Sequence, residues 1–301
     1  MIAIRKTARG KGHVEIQEIP EPGAGADEVV IEVDSAGICG TDLHIYFDEF
    51  PTEPPVTLGH EFAGTISEMG SDVREWQPGD RVTSSTYFFT CGQCEYCRCG
   101  RPNLCLDRRS IGSKRDGAFA NYVVISGPGP IGLLALQLVK AAGGTTVVLG
   151  TSADMPRLKA ASKLGADLTV DVDTTDDLSG AVRNILGSYG ADVGIECSGA
   201  AAASGSILSL LKRGGRFCQL GLYGKPIPFD QDQLCYKELT VTGTNASSAA
   251  SWPRALKLLA ERRINTGTLI SHRFSLRAWS SALSIAESKQ GIKILLKPGE
   301  K

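Results

Sequence analysis

The chain has 301 residues, 42% hydrophobic and 22% charged, which is long enough for two domains with separate cores. Its 32 Lys and Arg residues nearly balance 33 Asp and Glu residues, so the net charge of -1 leaves no electrostatic footprint for nucleic acid. The longest apolar helical stretch, Ile131 to Ala142, contains Gln137 and Lys140 and is too short and too polar to span a bilayer. The first residues lack the apolar core of a signal peptide. We therefore expect a cytoplasmic protein that binds a small molecule rather than nucleic acid or a membrane.

The first part of the chain, to about residue 122, consists of short β-like runs separated by Gly, Pro and Asp. Polar and apolar residues alternate in runs such as His13–Gln17, Glu28–Val33 and Phe62–Ile66, which is typical of antiparallel sheets with one solvated face. Gln77-Pro-Gly-Asp is a turn signal directly before the strand-like Arg81–Thr83.

From about residue 127 the pattern changes to alternating strands and helices, which predicts an α/β fold with a doubly wound parallel sheet. The predicted helices are Ile131–Ala142, Arg157–Leu164, Ala201–Leu211 and Trp252–Arg263, and the predicted strands are Thr145–Leu149, Leu168–Val172, Asp192–Cys197, Arg216–Leu220 and Leu239–Gly243. A helix near Trp279–Ser288 and a strand at Ile292–Leu296 return to the first domain. The predicted domains are therefore 1–122 with 265–301, and 123–264.

Five of the nine cysteines fall between residues 91 and 105. Cys91, Cys94, Cys97 and Cys105 have the spacing C-x2-C-x2-C-x7-C, in which four thiolates can close a tetrahedron around one ion. The alternative is free thiols or disulfides. Because clustered cysteines without a targeting signal are typical of metal ligation in a reducing compartment, we predict a structural zinc site. Cys99 is surplus to this site.

A second set of possible metal donors lies earlier in the chain. Gly37-Ile-Cys39-Gly-Thr41-Asp42-Leu-His44 and Gly59-His60-Glu61 contain a sulfur, an imidazole and a carboxylate. These donors suit zinc with one coordination position left for water or substrate. Each element alone is more often structural, since a lone cysteine is usually a small buried hydrophobic residue.

The third motif is Gly127-Pro-Gly129-Pro130-Ile131-Gly132, which fits G-x-G-x-x-G. Its glycines allow a tight turn, close backbone approach to a pyrophosphate, and packing of the helix on the strand. Because a helix pattern, a buried strand and further βα units follow, we predict a dinucleotide site with the phosphates at the helix N-terminus.

Together with Pro78-Gly-Asp-Arg-Val, these motifs resemble the zinc-binding medium-chain dehydrogenases, with the polyol (sorbitol or L-iditol) and L-threonine 3-dehydrogenases as the nearest relatives. The resemblance implies a β-rich GroES-like catalytic domain and a Rossmann domain. It also implies two zinc ions per chain, one structural and one catalytic, and hydride transfer from a secondary alcohol to NAD or NADP.

The same resemblance assigns roles to individual residues. Cys39, His60 and Glu61 would hold the catalytic zinc, with Glu61 bound directly or exchanging with water. Thr41 would contact the substrate oxygen and begin a proton relay that His44 continues. Asp42 would orient the metal-bound imidazole. The resemblance further implies a homo-oligomer, either a dimer or a tetramer.

The dinucleotide preference depends on the residues after the predicted strand Thr145–Leu149. Sites that prefer NAD carry Asp or Glu about 20 residues after the fingerprint. This chain has Thr151, where the polyol relatives usually carry Asp, followed by Ser152 and Asp154. The small hydroxyl residues tolerate a 2′-phosphate and Arg157 could pair with one, so the sequence slightly favours NADP. The alternatives are that Asp154 reaches the ribose and that Arg157 is a solvated helix residue.

The chain departs from the family pattern before the fingerprint. Only Ser126 separates the strand Asn121–Ile125 from Gly127, whereas the family has a further segment there, with helices, an acidic residue near the zinc and a separate strand. Either Val123–Ile125 is recruited as the first Rossmann strand, or the sheet lacks its central strand. The functions considered are thus a polyol dehydrogenase, an L-threonine 3-dehydrogenase, or a truncated remnant that binds zinc and nucleotide without catalysis.

Overall fold

The computed structural model describes residues 1–114, 122–123, 130–248 and 250–299. The chain divides into two compact units. Unit 1 comprises Met1–Gly129, Ala246–Pro253 and Ile270–Lys301, and unit 2 comprises Pro130–Asn245 and Arg254–Leu269. The domain limits predicted after residues 122 and 264 lie several residues from these divisions.

In chain order the strands are β1 (Ile2–Lys6), β2 (Val14–Glu18), β3 (Val29–Gly37), β4 (Val56–Thr57), β5 (Phe62–Met69), β6 (Arg81–Thr83), β7 (Tyr87–Phe89), β8 (Arg109–Ser110), β9 (Tyr122–Val123), β10 (Val147–Gly150), β11 (Leu168–Asp171), β12 (Ala191–Glu196), β13 (Leu211–Gln219), β14 (Thr240–Gly243), β15 (Ile270–Ser275) and β16 (Lys293–Lys297). The α-helices are α1 (Gly40–Tyr46), α2 (Glu95–Arg98), α3 (Gly132–Ala141), α4 (Met155–Lys163), α5 (Leu178–Leu186), α6 (Ala201–Leu210), α7 (Asp232–Tyr236), α8 (Ser251–Ala260) and α9 (Trp279–Glu287).

Unit 1 is built around a sheet with the strand order β15-β16-β3-β5-β6, in which β9 also pairs with β3. Strand β3 is central, since it pairs antiparallel with both β5 and β16. Its apolar side chains at Ile31 and Val33 are buried, and Leu296 from β16 and Ala282 from α9 pack into the same core. The C-terminal segment therefore completes the core of unit 1.

Unit 2 contains parallel strands separated by helices, as the sequence pattern predicts. Strand β10 pairs with β11, and β12 pairs with β13, which pairs with β14. The patterns do not predict α5, which begins where the carboxylate of Asp177 accepts a hydrogen bond from the backbone N–H of Gly180. In the described ranges, no helix is long and apolar enough to cross a membrane.

The parallel strands of unit 2 form two separate sheets, β10-β11 and β12-β13-β14, among the described residues. In a doubly wound sheet of order 3-2-1-4-5-6, the first strand lies between the second and the fourth. The break between β10 and β12 therefore falls where a first strand would stand. The described part of the predicted strand Asn121–Ile125 is β9, and its Val123 pairs with Ile31 in unit 1. Residues 124–129 lie outside the described ranges.

The core of unit 1 provides a test of packing. We expect Leu296→Ala to lower the free energy of unfolding by about 2–5 kcal/mol, because Leu296 is fully buried between β3 and the helices of the core. Leu106→Ala is the matched control, since Leu106 is 86% exposed and its loss leaves no cavity. Urea unfolding followed by circular dichroism measures both variants. Equal effects of the two substitutions would contradict this description of the core.

Candidate metal centres and dinucleotide-binding elements

The four cysteines of the predicted structural site converge in space. Their sulfurs lie within 4.8 Å of one another, with Cys91 Sγ 4.0 Å from Cys97 Sγ and 3.5 Å from Cys105 Sγ. A tetrahedron with Zn–S bonds of about 2.3 Å has sulfur–sulfur edges of about 3.8 Å. The observed sulfur–sulfur distances therefore fit four ligands of one ion, whereas a disulfide would need about 2.05 Å.

The backbone around this loop holds it closed and stabilises negatively charged sulfur. The antiparallel pair β7 and β8 closes the base of the loop. The backbone N–H of Cys94 lies 3.3 Å from Cys91 Sγ, and that of Cys91 lies 3.3 Å from Cys105 Sγ. Backbone N–H groups of Cys94 and Gln93 lower the pKa of Cys91 to about 7. Burial and the neighbouring sulfurs raise the pKa of Cys97 to about 12.

Paired substitutions test this site. We expect Cys97→Ser to release one zinc ion per chain and to lower the unfolding temperature, because a closed four-sulfur site depends on every ligand. Cys99→Ser should keep the metal, since the Cys99 thiol is exposed and donates to the backbone oxygen of Tyr96. Metal analysis of the purified proteins gives the stoichiometry. Full zinc retention by Cys97→Ser would show that these sulfurs do not form the site.

The second predicted donor set is also brought together, within unit 1. Cys39 caps the N-terminus of α1 directly after β3, and His60 and Glu61 lie in the link between β4 and β5. The three donor atoms lie within 4.8 Å of one another, and His60 and Glu61 are buried. Gly59 has φ +93°, a left-handed conformation that favours glycine, so this link turns at the residue before His60.

Asp42 lies against both His60 and Cys39. Its Oδ2 accepts a hydrogen bond from the backbone N–H of Cys39 at 2.9 Å, and its Oδ1 lies 3.5 Å from His60 Nδ1. Burial by itself lowers the pKa of His60, but the Asp42 carboxylate and Cys39 outweigh this effect and raise the pKa well above its usual value. With Nδ1 turned toward Asp42, the other ring nitrogen is the one available to a metal.

The hydrogen bonding of the Glu61 carboxylate shows that a cation fits this donor cluster. Its Oε2 forms an ion pair with Lys293, whereas its Oε1 is buried with no hydrogen-bond partner among the described residues. A buried carboxylate oxygen without a partner is unfavourable. The sulfur of Cys39, the imidazole of His60 and this free oxygen are the ligand types that zinc takes in sites with an open position. No sequence motif surrounds Lys293, so the sequence carries no signal for it.

Thr41 and His44 both lie on α1. Thr41 Oγ1 is 3.9 Å from Cys39 Sγ, which places the hydroxyl beside the donor cluster. His44 Nδ1 lies 2.7 Å from Glu49 Oε2 and pairs with that half-exposed carboxylate. A relay from Thr41 to His44 stays a prediction.

In unit 2, the described part of the glycine fingerprint is Pro130, Ile131 and Gly132, while Gly127 and Gly129 lie outside the described residues. Ile131 caps α3 and Gly132 is its first residue. A side chain at Gly132 would contact Cys197, at the end of β12, at 3.6 Å. The third glycine therefore lies where α3 approaches the carboxyl end of a parallel strand.

The residues predicted to choose between NAD and NADP already have partners in unit 2. Thr151 Oγ1 donates to Asp154 Oδ2 at 2.7 Å, and Arg157 pairs with Asp154 Oδ1 at 3.3 Å. Ser152 Oγ donates to Asp171 at 2.7 Å, and its backbone N–H donates to Asp173 at 2.9 Å. These contacts place the carboxylates of Asp154, Asp171 and Asp173 around Thr151 and Ser152. The positive charge of Arg157 is balanced by Asp154.

Glu196 is a further buried acid of unit 2 that the sequence analysis missed. It ends β12, is 1% exposed, and accepts hydrogen bonds from the backbone N–H groups of Ser198 (2.8 Å) and Gly199 (3.1 Å) and from Gln219 Nε2 (2.9 Å). Gln219 in turn accepts from the Tyr223 hydroxyl at 2.7 Å. One carboxylate thus joins the loops that follow β12 and β13, at the strand edge where doubly wound sheets bind their ligands.

Neutralising Glu196 tests this network. We expect Glu196→Gln to lower the free energy of unfolding by about 1.5–3 kcal/mol, because a buried carboxylate with several donors is replaced by an amide that brings a donor of its own. Glu261→Gln is the control, since Glu261 is an exposed partner of Lys257. Urea unfolding measures both. A loss no larger than that of the control would mean that the network contributes little.

A cavity of about 740 Å³ lies elsewhere in unit 2, at the amino ends of β12 and β13. Its lining includes Val182, Tyr189, Leu210 and Lys237. Parallel α/β sheets bind ligands beyond the carboxyl ends of their strands, so we do not assign the dinucleotide to this cavity.

Comparisons with known proteins agree with this arrangement. Residues 25–129 match the alcohol dehydrogenase GroES-like domain, and residues 130–261 match the zinc-binding dehydrogenase domain. The chain belongs to the zinc-binding dehydrogenases. These matches confirm the expected α/β fold, with a GroES-like and a Rossmann-type domain. They also confirm the expected family of NAD(P)-dependent alcohol and polyol dehydrogenases.

Individual relatives within this family have different substrates in their names. Sorbitol dehydrogenase of Halalkalibacterium halodurans is 38% identical, covering 99% of both chains, and D-arabitol-phosphate dehydrogenase of Enterococcus avium is 33% identical, covering 98% of this chain and 97% of the relative. L-threonine 3-dehydrogenase of Alteromonas mediterranea is 30% identical over 96% of this chain and 97% of the relative. A zinc-binding dehydrogenase of Sinorhizobium meliloti, solved bound to NADP, is 31% identical with a TM-score of 0.85 and covers 99% of each chain.

The chain is shorter than these relatives inside the aligned region. The alignment with the sorbitol dehydrogenase extends over 342 positions, whereas this chain has 301 residues. About forty aligned positions therefore have no residue in this chain. This difference agrees with the internal segment that the sequence analysis finds missing before the fingerprint.

Proposed function

We propose that this chain oxidises a secondary alcohol of a polyol and transfers the hydride to NAD or NADP. The observation that carries the proposal is the convergence of Cys39, His60 and Glu61, with one buried oxygen of Glu61 left without a partner. Family membership supports the reaction class, and the similarity to a sorbitol dehydrogenase supports the substrate class.

In the proposed reaction, each residue of the site has a separate role. Cys39, His60 and Glu61 would hold the catalytic zinc, whose chemistry would be to lower the pKa of the alcohol, and the dinucleotide would be the hydride acceptor. Asp42 holds the His60 ring in one orientation and joins it to the backbone of Cys39. The hydroxyl of Thr41, beside Cys39, would accept the alcohol proton while passing its own proton on, with His44 as the candidate onward carrier.

The structural zinc would be held by Cys91, Cys94, Cys97 and Cys105. Four protein ligands leave no coordination position open, so this ion stabilises its loop and takes no part in the reaction.

In unit 2 we propose that Pro130, Ile131 and Gly132 present the N-terminus of α3 to the pyrophosphate, together with Gly127 and Gly129. The contacts of Thr151 and Ser152 reduce the case for NADP that the sequence makes, because Asp154 neutralises Arg157 and the carboxylates of Asp171 and Asp173 would repel a 2′-phosphate. Both dinucleotides therefore belong in the test.

A substrate panel decides between the candidate activities. The zinc-loaded protein is mixed with sorbitol, L-iditol, D-arabitol phosphate or L-threonine and with NAD or NADP, and reduced dinucleotide is followed by its absorbance. Turnover of a polyol supports the proposal. Turnover of L-threonine alone would favour the L-threonine 3-dehydrogenases, which are also among the relatives.

Asp42 allows a quantitative test of the proposed catalytic site. We expect Asp42→Asn to reduce catalytic zinc affinity or kcat/KM by about 10–100-fold, because partners that orient a metal-bound imidazole typically contribute this much. Asp34→Asn is the matched control, since Asp34 is an exposed residue of β3. Zinc competition and steady-state kinetics supply the two readouts, and wild-type values for Asp42→Asn would remove Asp42 from the site.

The second candidate function is a remnant that binds zinc and nucleotide without turnover. It is favoured by the missing alignment positions and, among the residues that the structure describes, by the separation of β10-β11 from β12-β13-β14. A folded chain with two zinc ions and no turnover of any substrate in the panel would establish it.

We also propose a cytoplasmic homo-oligomer, a dimer or a tetramer. The cluster of four cysteines proposed to bind zinc supports a reducing compartment, where thiolates persist. Strand β14 ends its sheet in the described part of unit 2, and all four of its residues are exposed, which supports pairing of this edge between copies. Light scattering after size-exclusion chromatography measures the oligomeric state.

A further inference from the structure

A buried lysine lies against one of the proposed metal ligands, although it is far from that ligand in sequence. Lys293, the first residue of β16, is 7% exposed. Its Nζ donates to the backbone oxygen of Ile38 at 2.8 Å and contacts Glu61 Oε2 directly. Pairing of Leu295 with Gly37 across β16 and β3 brings these groups together.

The backbone is shaped to admit this contact. A Cβ at Gly37 would clash with Lys293 Cε and would lie 2.8 Å from Glu61 Oε2. The backbone N–H of Gly37 donates to the backbone oxygen of Glu61 at 2.7 Å. Glycine at this position therefore lets the lysine and the carboxylate meet directly beside the donor cluster.

The two oxygens of Glu61 have different environments. Oε2 is held by a full positive charge, whereas Oε1 is buried with no hydrogen-bond partner among the described residues. One carboxylate oxygen of Glu61 lies within 4.8 Å of donor atoms of Cys39 and His60, and Oε1 is the oxygen left free to bind a metal there. A cation on one oxygen withdraws negative charge from the other and repels a second cation nearby. Glu61 can then give a metal only one weakened oxygen.

We propose that Lys293 is a positioning residue that keeps Glu61 a weak, single-oxygen ligand of the catalytic metal. The inference rests on the proposed metal site. By holding Oε2, Lys293 prevents Glu61 from closing around the ion with both oxygens, so a coordination position stays open for the alcohol. The ammonium group also balances the buried carboxylate before the metal arrives.

Opposite effects are expected from two substitutions. In Lys293→Met the metal becomes the cation nearest to Glu61, and zinc should bind about tenfold more tightly. In Lys293→Arg the planar guanidinium can engage both carboxylate oxygens, and zinc should bind more weakly than in the wild type. A purely structural role of Lys293 predicts no such reversal of sign.

The experiment uses the full chain with zinc retained at the four cysteines. The catalytic ion is the more easily removed, since one of its positions is open, and it is titrated back as zinc against a chelator and as cobalt. Visible cobalt bands report coordination number, and we expect weaker bands in Lys293→Met as Glu61 binds with both oxygens. Glu61→Gln and the double variant Glu61→Gln/Lys293→Met complete the cycle, in which the effect of Lys293 should disappear.

The outcomes separate this inference from the proposed function. A wild-type chain that holds zinc only at the four cysteines overturns both. A wild-type chain with two zinc ions, and with affinities and spectra that do not respond to Lys293→Met or Lys293→Arg, overturns the role of Lys293 alone. An effect of Lys293→Met that persists in the Glu61→Gln background also overturns it. If Lys293→Met fails to fold, Lys293→Arg decides, and unchanged or tighter zinc binding by that variant overturns the inference.

Discussion

Burial of the Glu61 carboxylate in unit 1 constrains much of the structure around it. Cys39, His60 and Glu61 come from two separate segments, and the buried carboxylate among them is stable only if positive charge is supplied close by. Part of that charge comes from Lys293, carried on a strand that joins the sheet from the far end of the chain. The antiparallel pairing of β16 with β3 therefore both completes the core of unit 1 and adjusts its donor cluster.

Unit 2 also buries a carboxylate, but different groups stabilise its negative charge. Glu196 is buried at the end of a parallel strand, and its charge is met by backbone N–H groups and the amide of Gln219 rather than by a cation. Such a carboxylate ties the loops after β12 and β13 to one another. The Tyr223 hydroxyl extends the network by donating to Gln219. These loops keep their connections although the parallel strands of the unit form two sheets in the described residues.

The contrast between the units bears on activity. Unit 1 retains the donor residues, the capping carboxylate of Asp42 and the closed cysteine loop. Unit 2 retains the start of α3 and the Glu196 network, and its parallel strands form two sheets, separated between β10 and β12, in the part of the chain that the structure describes. Hydride transfer requires the dinucleotide, so activity depends on how unit 2 holds it at the N-terminus of α3.

Features that depend on residues close in the chain were readable from the sequence. The spacing of the four cysteines, the glycine fingerprint before α3 and the alternation of strands and helices all arise within one or two turns or strands. Even there, Arg216–Leu220 was predicted too short, because the glycines at 214 and 215 resemble a loop, whereas β13 begins at Leu211 beyond a register irregularity opposite Ala191. Lys293 and Glu196 were missed, since isolated charged residues give no periodic signal. Only the folded chain decided that Lys293 meets Glu61 across 232 positions, that Arg157 is opposed by Asp154, and that β10 and β12 stand apart, because each depends on distant backbones packing together.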